Sequence, residues 1–147
     1  GEGIEKIDSN VSRSKKLIRR LLIKYKLPIV VQKFIKEISL GDRRIVLLDG
    51  DYAGSIARIP AKNSIKANLH AGGTAKKTGL VFRDKKICKL LKPFLKKNNL
   101  FFAGIDVIGN YLTEINVTSP TGIQEINKLN NIKIEKIFWD KIQKKLS

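Results

Sequence analysis

Two turn signals, each set between short apolar runs, constrain this chain more than any other feature. Arg44-Ile45-Val46-Leu47-Leu48 is rich in branched side chains, Asp49-Gly50-Asp51 follows it, and residues 52–59 return as a second strand until Pro60 breaks it. An Asp-Gly pair between two such runs is a strong hairpin signal, because both central residues of the tightest turn need positive φ. Residues 100–108 form another strongly apolar run, expected to lie centrally in a sheet. Gly109-Asn110 turns it, and residues 111–117 come back with Leu112, Glu114 and Asn116 alternating against Tyr111, Thr113 and Ile115.

The intervening segments read as helices and one long loop. Leu17, Ile18, Leu21, Leu22 and Tyr25 recur at helical spacing and predict a first helix, capped by Ser12 or Ser14 and ended by Pro28. The β-branched run Ile29-Val30-Val31, continuing to Ile35, predicts a strand. Residues 61–79, rich in Lys, Asn, Gly and Thr, show no period and predict a long loop, a kind uncommon in compact domains unless it is functional or disordered. Residues 84–97 place Ile87, Leu90, Leu91, Phe94 and Leu95 on one helical face, with Pro93 expected to kink it. A turn at residues 118–121, a short helix to about Lys128 and a last helix over residues 135–146 close the chain. Two hairpins around one helix, with helices at both ends, predict an α+β fold on a largely antiparallel sheet.

A chain of 147 residues with 42% hydrophobic content suits one ordinary domain rather than a disordered tail. It has no uncharged apolar run of about 18 residues, the minimum for a membrane span. Its first residues, Gly1-Glu2-Gly3-Ile4-Glu5-Lys6, lack the pattern of a signal peptide. Cys88 stands alone, which excludes an intrachain disulfide and fits a reducing cytoplasm. A start at Gly1 without any methionine leads us to expect a fragment or a processed form. The net charge of +17 invites a nucleic-acid reading. The excess is lysine, 23 against 7 arginines, spread along faces of amphipathic helices. Specific readout favours arginine at base edges with interleaved aromatics, so a solvated lysine surface is the better reading and nucleic acid is not the expected partner.

The chemistry-bearing segment is residues 104–121. Glu114 and Asn116 share a strand face, and the turn at Gly109-Asn110 allows Asp106 to approach both. Three oxygen donors directed at one place suit Mg²⁺ held together with substrate phosphates, and the alternative is a solvated polar face. The flanking residues are apolar, and polar groups in such a setting are costly unless paired or metal-bound.

Leu112-Thr-Glu-Ile-Asn-Val-Thr-Ser-Pro-Thr121 closely resembles the signature of the bacterial glutathione synthetase family of ATP-grasp ligases. Further matches follow in order: Gly41-Asp42-Arg43-Arg44, Asp49-Gly50, Ala57-Arg58-Ile59-Pro60, Asn68-Leu69 and Ala71-Gly72-Gly73. The resemblance covers residues 28–126 and extends to residues 1–4 and the last helix.

It implies the C-terminal part of an ATP-grasp fold and the ATP-dependent ligation of γ-glutamylcysteine to glycine through an acyl phosphate. It implies ATP and Mg²⁺, with Mn²⁺ as a substitute, and assigns the metal to Asp106, Glu114 and Asn116. Arg44 and Arg58 become the catalytic cations that face phosphate and acyl group, each able to grip two oxygens. Asp42 falls on the ribose side, Gln32-Lys33-Phe34-Ile35 along the adenine edge, and Gly3 in the tail of a glycine-rich phosphate loop. Lys66 and Asn68 would contact the peptide substrate, and Gly72-Gly73 would let that loop close.

This chain departs from the family pattern at Lys66, His70, Thr74 and Gly122. His70 is expected to have no chemical role, Cys88 to be a packed thiol and Trp139 to be a core or interdomain anchor. The family's N-terminal domain and middle region do not lie within these residues, so the chain corresponds to a C-terminal portion of an enzyme expected to be a homo-oligomer. Another ATP-grasp carboxylate–amine ligase is the alternative, and a basic nucleic-acid-binding module a more distant one.

Overall fold

The computed structural model describes residues 4–7, 10–62, 64, 67, 69 and 72–147. The chain divides into two compact units, residues 1–36 and 37–147. The first holds helix α1, Val11–Tyr25. Its N-cap is Asn10, whose Oδ1 accepts from the Arg13 N–H at 2.9 Å, so the cap lies outside both expected serines. Asparagine satisfies a first-turn donor as well as serine does, and sequence spacing alone does not rank them. The strand expected over residues 29–35 does not form: Val30 is 88% exposed and Val31 62%. Branched residues favour strands when there is a pleated neighbour to pack on. All strands among the described residues lie between Asp42 and Asn116 and pair with one another.

The second unit is built on a five-stranded sheet in the order β3-β2-β1-β4-β5, every neighbouring pair antiparallel. The strands are β1 Asp42–Leu48, β2 Asp51–Ile59, β3 Thr74–Lys77, β4 Phe102–Ile108 and β5 Tyr111–Asn116. The helices are α2 Phe82–Lys97, α3 Ile123–Asn130 and α4 Ile134–Leu146. Asp49 and Gly50 both have positive φ, +54° and +77°, as the tightest β1–β2 hairpin requires. Helix α2 runs on through Pro93.

The middle strand is β1, with the strongly apolar β4 beside it. Ile45, Val46, Leu47 and Leu48 are all fully buried because both faces of β1 are covered. Ile45 and Leu47 join Ala103, Ile105 and Val107 of β4 against Ile87, Cys88 and Leu95 of α2. Val46, Leu48 and Ile56 join Ile126 of α3 and Ile134 of α4 on the other face. Full burial of each large aliphatic side chain contributes about 1.5–3 kcal/mol relative to exposure. Cys88 is packed as expected, and burial pushes its thiol up to about 11.

Three local readings change. The long loop contains β3, whose residues pair with the end of β2. Its sequence Thr-Ala-Lys-Lys is polar because an edge strand with little burial needs no apolar alternation. Trp139 is 61% exposed and touches Phe138 edge to face at 5.5 Å, so it is not a core residue. Its helix packs through Ile134 and Ile137 instead.

The third change lies in β5. Asp106 pairs with Glu114 but Val107 pairs with Leu112, leaving Thr113 as an extra residue. This bulge sends Leu112 to the α2 core while Glu114 stays on the opposite face. The alternation expected along 112, 114 and 116 is therefore broken after its first residue.

Candidate functional site

The face of the sheet that carries α3 and α4 becomes polar at the end where β1 begins. Cross-strand register lines up its side chains. Asp42 of β1 is opposite Arg58 of β2, Arg44 of β1 is opposite Asp106 of β4, and Asp106 is in turn opposite Glu114 of β5. Asn116 is opposite Gly104, one step along the same face. Residues directly opposite on paired strands share a face, so six of the expected site residues converge here.

Four of the six form a buried network. Arg44 donates from Nε and Nη2 to the two oxygens of Asp106, the latter at 2.9 Å. Arg58 donates from Nε and Nη2 to the two oxygens of Asp42 at 2.7 and 2.6 Å. The Arg58 Nη2 also lies 2.8 Å from Asp106 Oδ2, which links the two pairs. Each of the four residues is 7% exposed or less. Two cations and two anions balance, and the fork geometry of guanidinium makes this density of hydrogen bonds possible. Burial pushes the Asp42 carboxyl above its ordinary value, and the Arg58 hydrogen bonds offset only part of that. Burial acts against the Arg58 charge, but Asp42 and Asp106 more than compensate and hold its pKa above the ordinary arginine value.

The network is fastened to the segment after β5. Arg44 Nη1 donates to the Thr121 carbonyl at 3.1 Å. Pro120 is buried over Gly104, where an added Cβ would come within 2.5 Å of the proline Cβ. Asn116 Oδ1 accepts from the Thr118 and Ser119 N–H groups at 3.2 and 3.3 Å, which turns the chain towards Pro120. Sequence reading missed the roles of Gly104 and the Thr121 carbonyl. Glycine inside an apolar strand was a legible sign of close backbone approach, whereas a main-chain oxygen leaves no sign in a sequence.

The donor set fits a hard divalent cation. Asp106, Glu114 and Asn116 offer oxygen only, and Glu114 is open to solvent. A carboxylate has about four acceptor positions, and Asp106 uses three on its arginines, leaving one at Oδ1. No cluster of three carboxylate, imidazole or thiol residues that could hold a metal occurs among the described residues, so a third donor beside Asp106 and Glu114 would have to be a group such as the Asn116 amide. The two carboxylates suit Mg²⁺, which keeps several waters and takes further oxygens from phosphates, whereas the Asn116 Oδ1 already accepts two backbone N–H groups and would join only by releasing one of them.

The other expected positions stand as follows. Gly3, Lys66 and Asn68 lie outside the described residues, as does His70. Gly72 has φ +85° and donates its N–H to the Leu69 carbonyl, and Gly73 leads directly into β3. The next strand residues, Thr74 and Ala75, pair with Ile59 and Arg58, so the loop ends beside the arginine network. Gln32, Lys33 and Phe34 are exposed and Ile35 is half-buried, all in the first unit. There the Lys6 ammonium sits 4.4 Å from the Phe34 ring centroid.

This antiparallel sheet with its flanking helices defines an ATP-grasp module. The fold is shared with a D-alanine–D-alanine ligase from Bacillus anthracis complexed with ATP, at TM-score 0.55 and 14% identity, over 91% of this chain and 54% of that one. The chain belongs to the prokaryotic glutathione synthetase family, whose ATP-grasp domain matches residues 1–131. It is 43% identical over 146 residues to the glutathione synthetase of Prochlorococcus marinus subsp. pastoris, covering 99% of this chain and 46% of that protein. To that of Synechocystis sp. it is 45% identical over 139 residues, covering 94% and 43%. To that of Mesorhizobium japonicum it is 44% identical over 118 residues, covering 80% and 38%. The chain thus spans less than half the length of these relatives. No helix among the described residues is long and apolar enough to cross a membrane.

Proposed function

We propose that this chain is the C-terminal, ATP- and metal-binding part of an enzyme that joins γ-glutamylcysteine to glycine with conversion of ATP to ADP. The observation that carries the reading is the sheet face on which Asp106 and Glu114 stand in direct register beside Arg44 and Arg58, in a chain of this family. The dipeptide carboxylate takes the γ-phosphoryl group, and the glycine amine then attacks the acyl carbon and expels phosphate. Both steps build negative charge on phosphoryl or acyl oxygens.

Asp106, Glu114 and Asn116 would hold Mg²⁺, which supplies charge neutralisation at the phosphate oxygens. Arg44 holds the Asp106 carboxylate in one orientation, and Arg58 adds positive charge beside it. Both arginines serve the phosphate and acyl oxygens from this buried, low-dielectric setting, where a fixed charge is worth more than in water. Asp42, gripped by Arg58, stands on the ribose side, and residues 32–35 take the adenine edge. Gly3 belongs to the phosphate loop, Lys66 and Asn68 contact the dipeptide, and Gly72-Gly73 allow closure over an intermediate that water would hydrolyse. The reading carries with it a cytoplasmic, homo-oligomeric enzyme.

The test is a fusion of the N-terminal portion of the Prochlorococcus marinus relative ahead of this chain, assayed beside the chain alone for ADP release. The fusion is expected to release ADP only with Mg²⁺, γ-glutamylcysteine and glycine all present, and the chain alone to turn over poorly or not at all. A folded fusion that prefers a different acid or amine would assign the chain to another carboxylate–amine ligase. A folded fusion that hydrolyses no ATP but binds nucleic acid with a steep salt dependence would overturn the ligase reading.

A further inference from the structure

The strand that carries Glu114 and Asn116 is an edge strand, paired on one side only within the described sheet. Its only strand partner there is β4, with the Thr113 hydroxyl adding a bond to the Asp106 carbonyl at 3.1 Å, and a slip of one residue would turn Glu114 to the opposite face. A bulge at Thr113 already interrupts that ladder next to Asp106.

What holds the turn of this hairpin lies on the other face of the sheet, against the start of α2. Arg43 donates from Nε and Nη2 to the two oxygens of Asp84, both at 2.8 Å, and from Nη2 to the Gly109 carbonyl at 2.7 Å. Asp84 is fully buried and also accepts from the Val81 N–H, so it is anchored in the first turn of α2. Arg83, its neighbour, donates from Nε to the Asn110 carbonyl at 3.0 Å. The Asn110 carbonyl is thus tied directly to the start of α2, and the Gly109 carbonyl through Arg43 of β1, which Asp84 of α2 holds. Arg43 is also the β1 residue directly opposite Val107, the residue at which the bulge begins.

The geometry points to Arg43, Asp84 and Arg83 as positioning residues: a register lock behind the sheet that keeps Glu114 across from Asp106. The metal consequence rests on the ligase reading, whereas the lock itself does not. A lysine at position 43 would keep a charge near Asp84 but lose the fork that reaches carboxylate and carbonyl together.

The experiment compares the chain with Arg43→Lys, Arg83→Ala and the double variant. Arg83 bonds at the surface, so its removal leaves the buried Arg43–Asp84 pair in place. Amide hydrogen exchange is read along β1, β2 and β5, and Mn²⁺ affinity is read in the presence of ATP. The double variant is expected to raise exchange in β5 by about tenfold relative to β1 and β2, a local opening rather than a global one. Mn²⁺ affinity should fall by about tenfold in parallel, the lower end for losing groups that orient ligands. Unchanged β5 exchange, or equal rises in all three strands, overturns the lock. If the unaltered chain binds no Mn²⁺ with ATP, the metal assignment fails, and the exchange profile still decides the lock.

Discussion

Arg44 and Asp106 face each other across the β1–β4 ladder, and the guanidinium reaches both carboxylate oxygens. Arg58 approaches the same carboxylate from β2 while gripping Asp42, so two arginines and two aspartates share one buried cluster on three strands. Such a cluster makes a modest net contribution to stability, yet is costly to break from one side.

Arg58→Ala should therefore destabilise the fold by about 3–5 kcal/mol, because Asp42 and Asp106 lose a shared buried cation. Urea unfolding at neutral pH measures this. A loss below about 1 kcal/mol would mean that the carboxylates find water or another partner, which their burial does not suggest.

Glu114→Gln should separate chemistry from folding. The side chain is exposed, so stability should change by no more than about 0.5 kcal/mol. In the fused enzyme, Mg²⁺-dependent ADP release should be abolished. Normal activity in that variant would remove Glu114 from the metal set.

Gly104→Ala tests the close approach of Pro120. The new Cβ would lie 2.5 Å from the proline Cβ, and the segment carrying the Thr121 carbonyl would have to shift. Overpacking of this kind should cost about 1–3 kcal/mol, read as a lower urea midpoint. A neutral substitution would show that the segment after β5 repacks freely.

The β1–β2 turn gives a prediction for acid. Asp51 is bound by Lys92 of α2 and Lys141 of α4, and these hydrogen bonds lower its carboxyl to about 2 from an ordinary 3.8. A depressed carboxyl stabilises the fold above its unfolded value and loses that contribution as pH falls through the folded one. The affected window runs from about pH 4 down to about pH 2. Unfolding midpoints across this window should fall less steeply in Asp51→Asn than in the unaltered chain. Parallel slopes would mean that the turn is not clamped through this charge. The side chains are partly exposed, so added salt should flatten the difference.

Local chemistry was legible wherever it is local. The Asp49-Gly50 turn, the α2 face and the β4–β5 hairpin follow from φ preferences and apolar period, and each appears close to its expected place. Residues 29–35 show the limit, since a branched run without a neighbouring strand stays unpaired. The β3 strand shows the converse, since Thr74-Ala75-Lys76-Lys77, without apolar alternation, pairs because the end of β2 is available. The turn at Gly109-Asn110 let the sequence bring Asp106 near Glu114 and Asn116, and the family resemblance named Asp42, Arg44 and Arg58, but the pairing of the two arginines with Asp42 and Asp106 could not be read.

The residue types and spacing of this chain determined by themselves that it would form an antiparallel α+β sheet with oxygen donors beside Gly109-Asn110. Those properties depend on side-chain period, turn chemistry and charge, which are written along the chain. Tertiary structure alone decided that Arg44 and Arg58 would meet Asp106 and Asp42, that Thr113 would bulge and part Leu112 from Glu114, and that Arg43 would reach across to Gly109. Each of these depends on the register between strands distant in sequence. That register is set by how both faces of β1 pack against the helices at once.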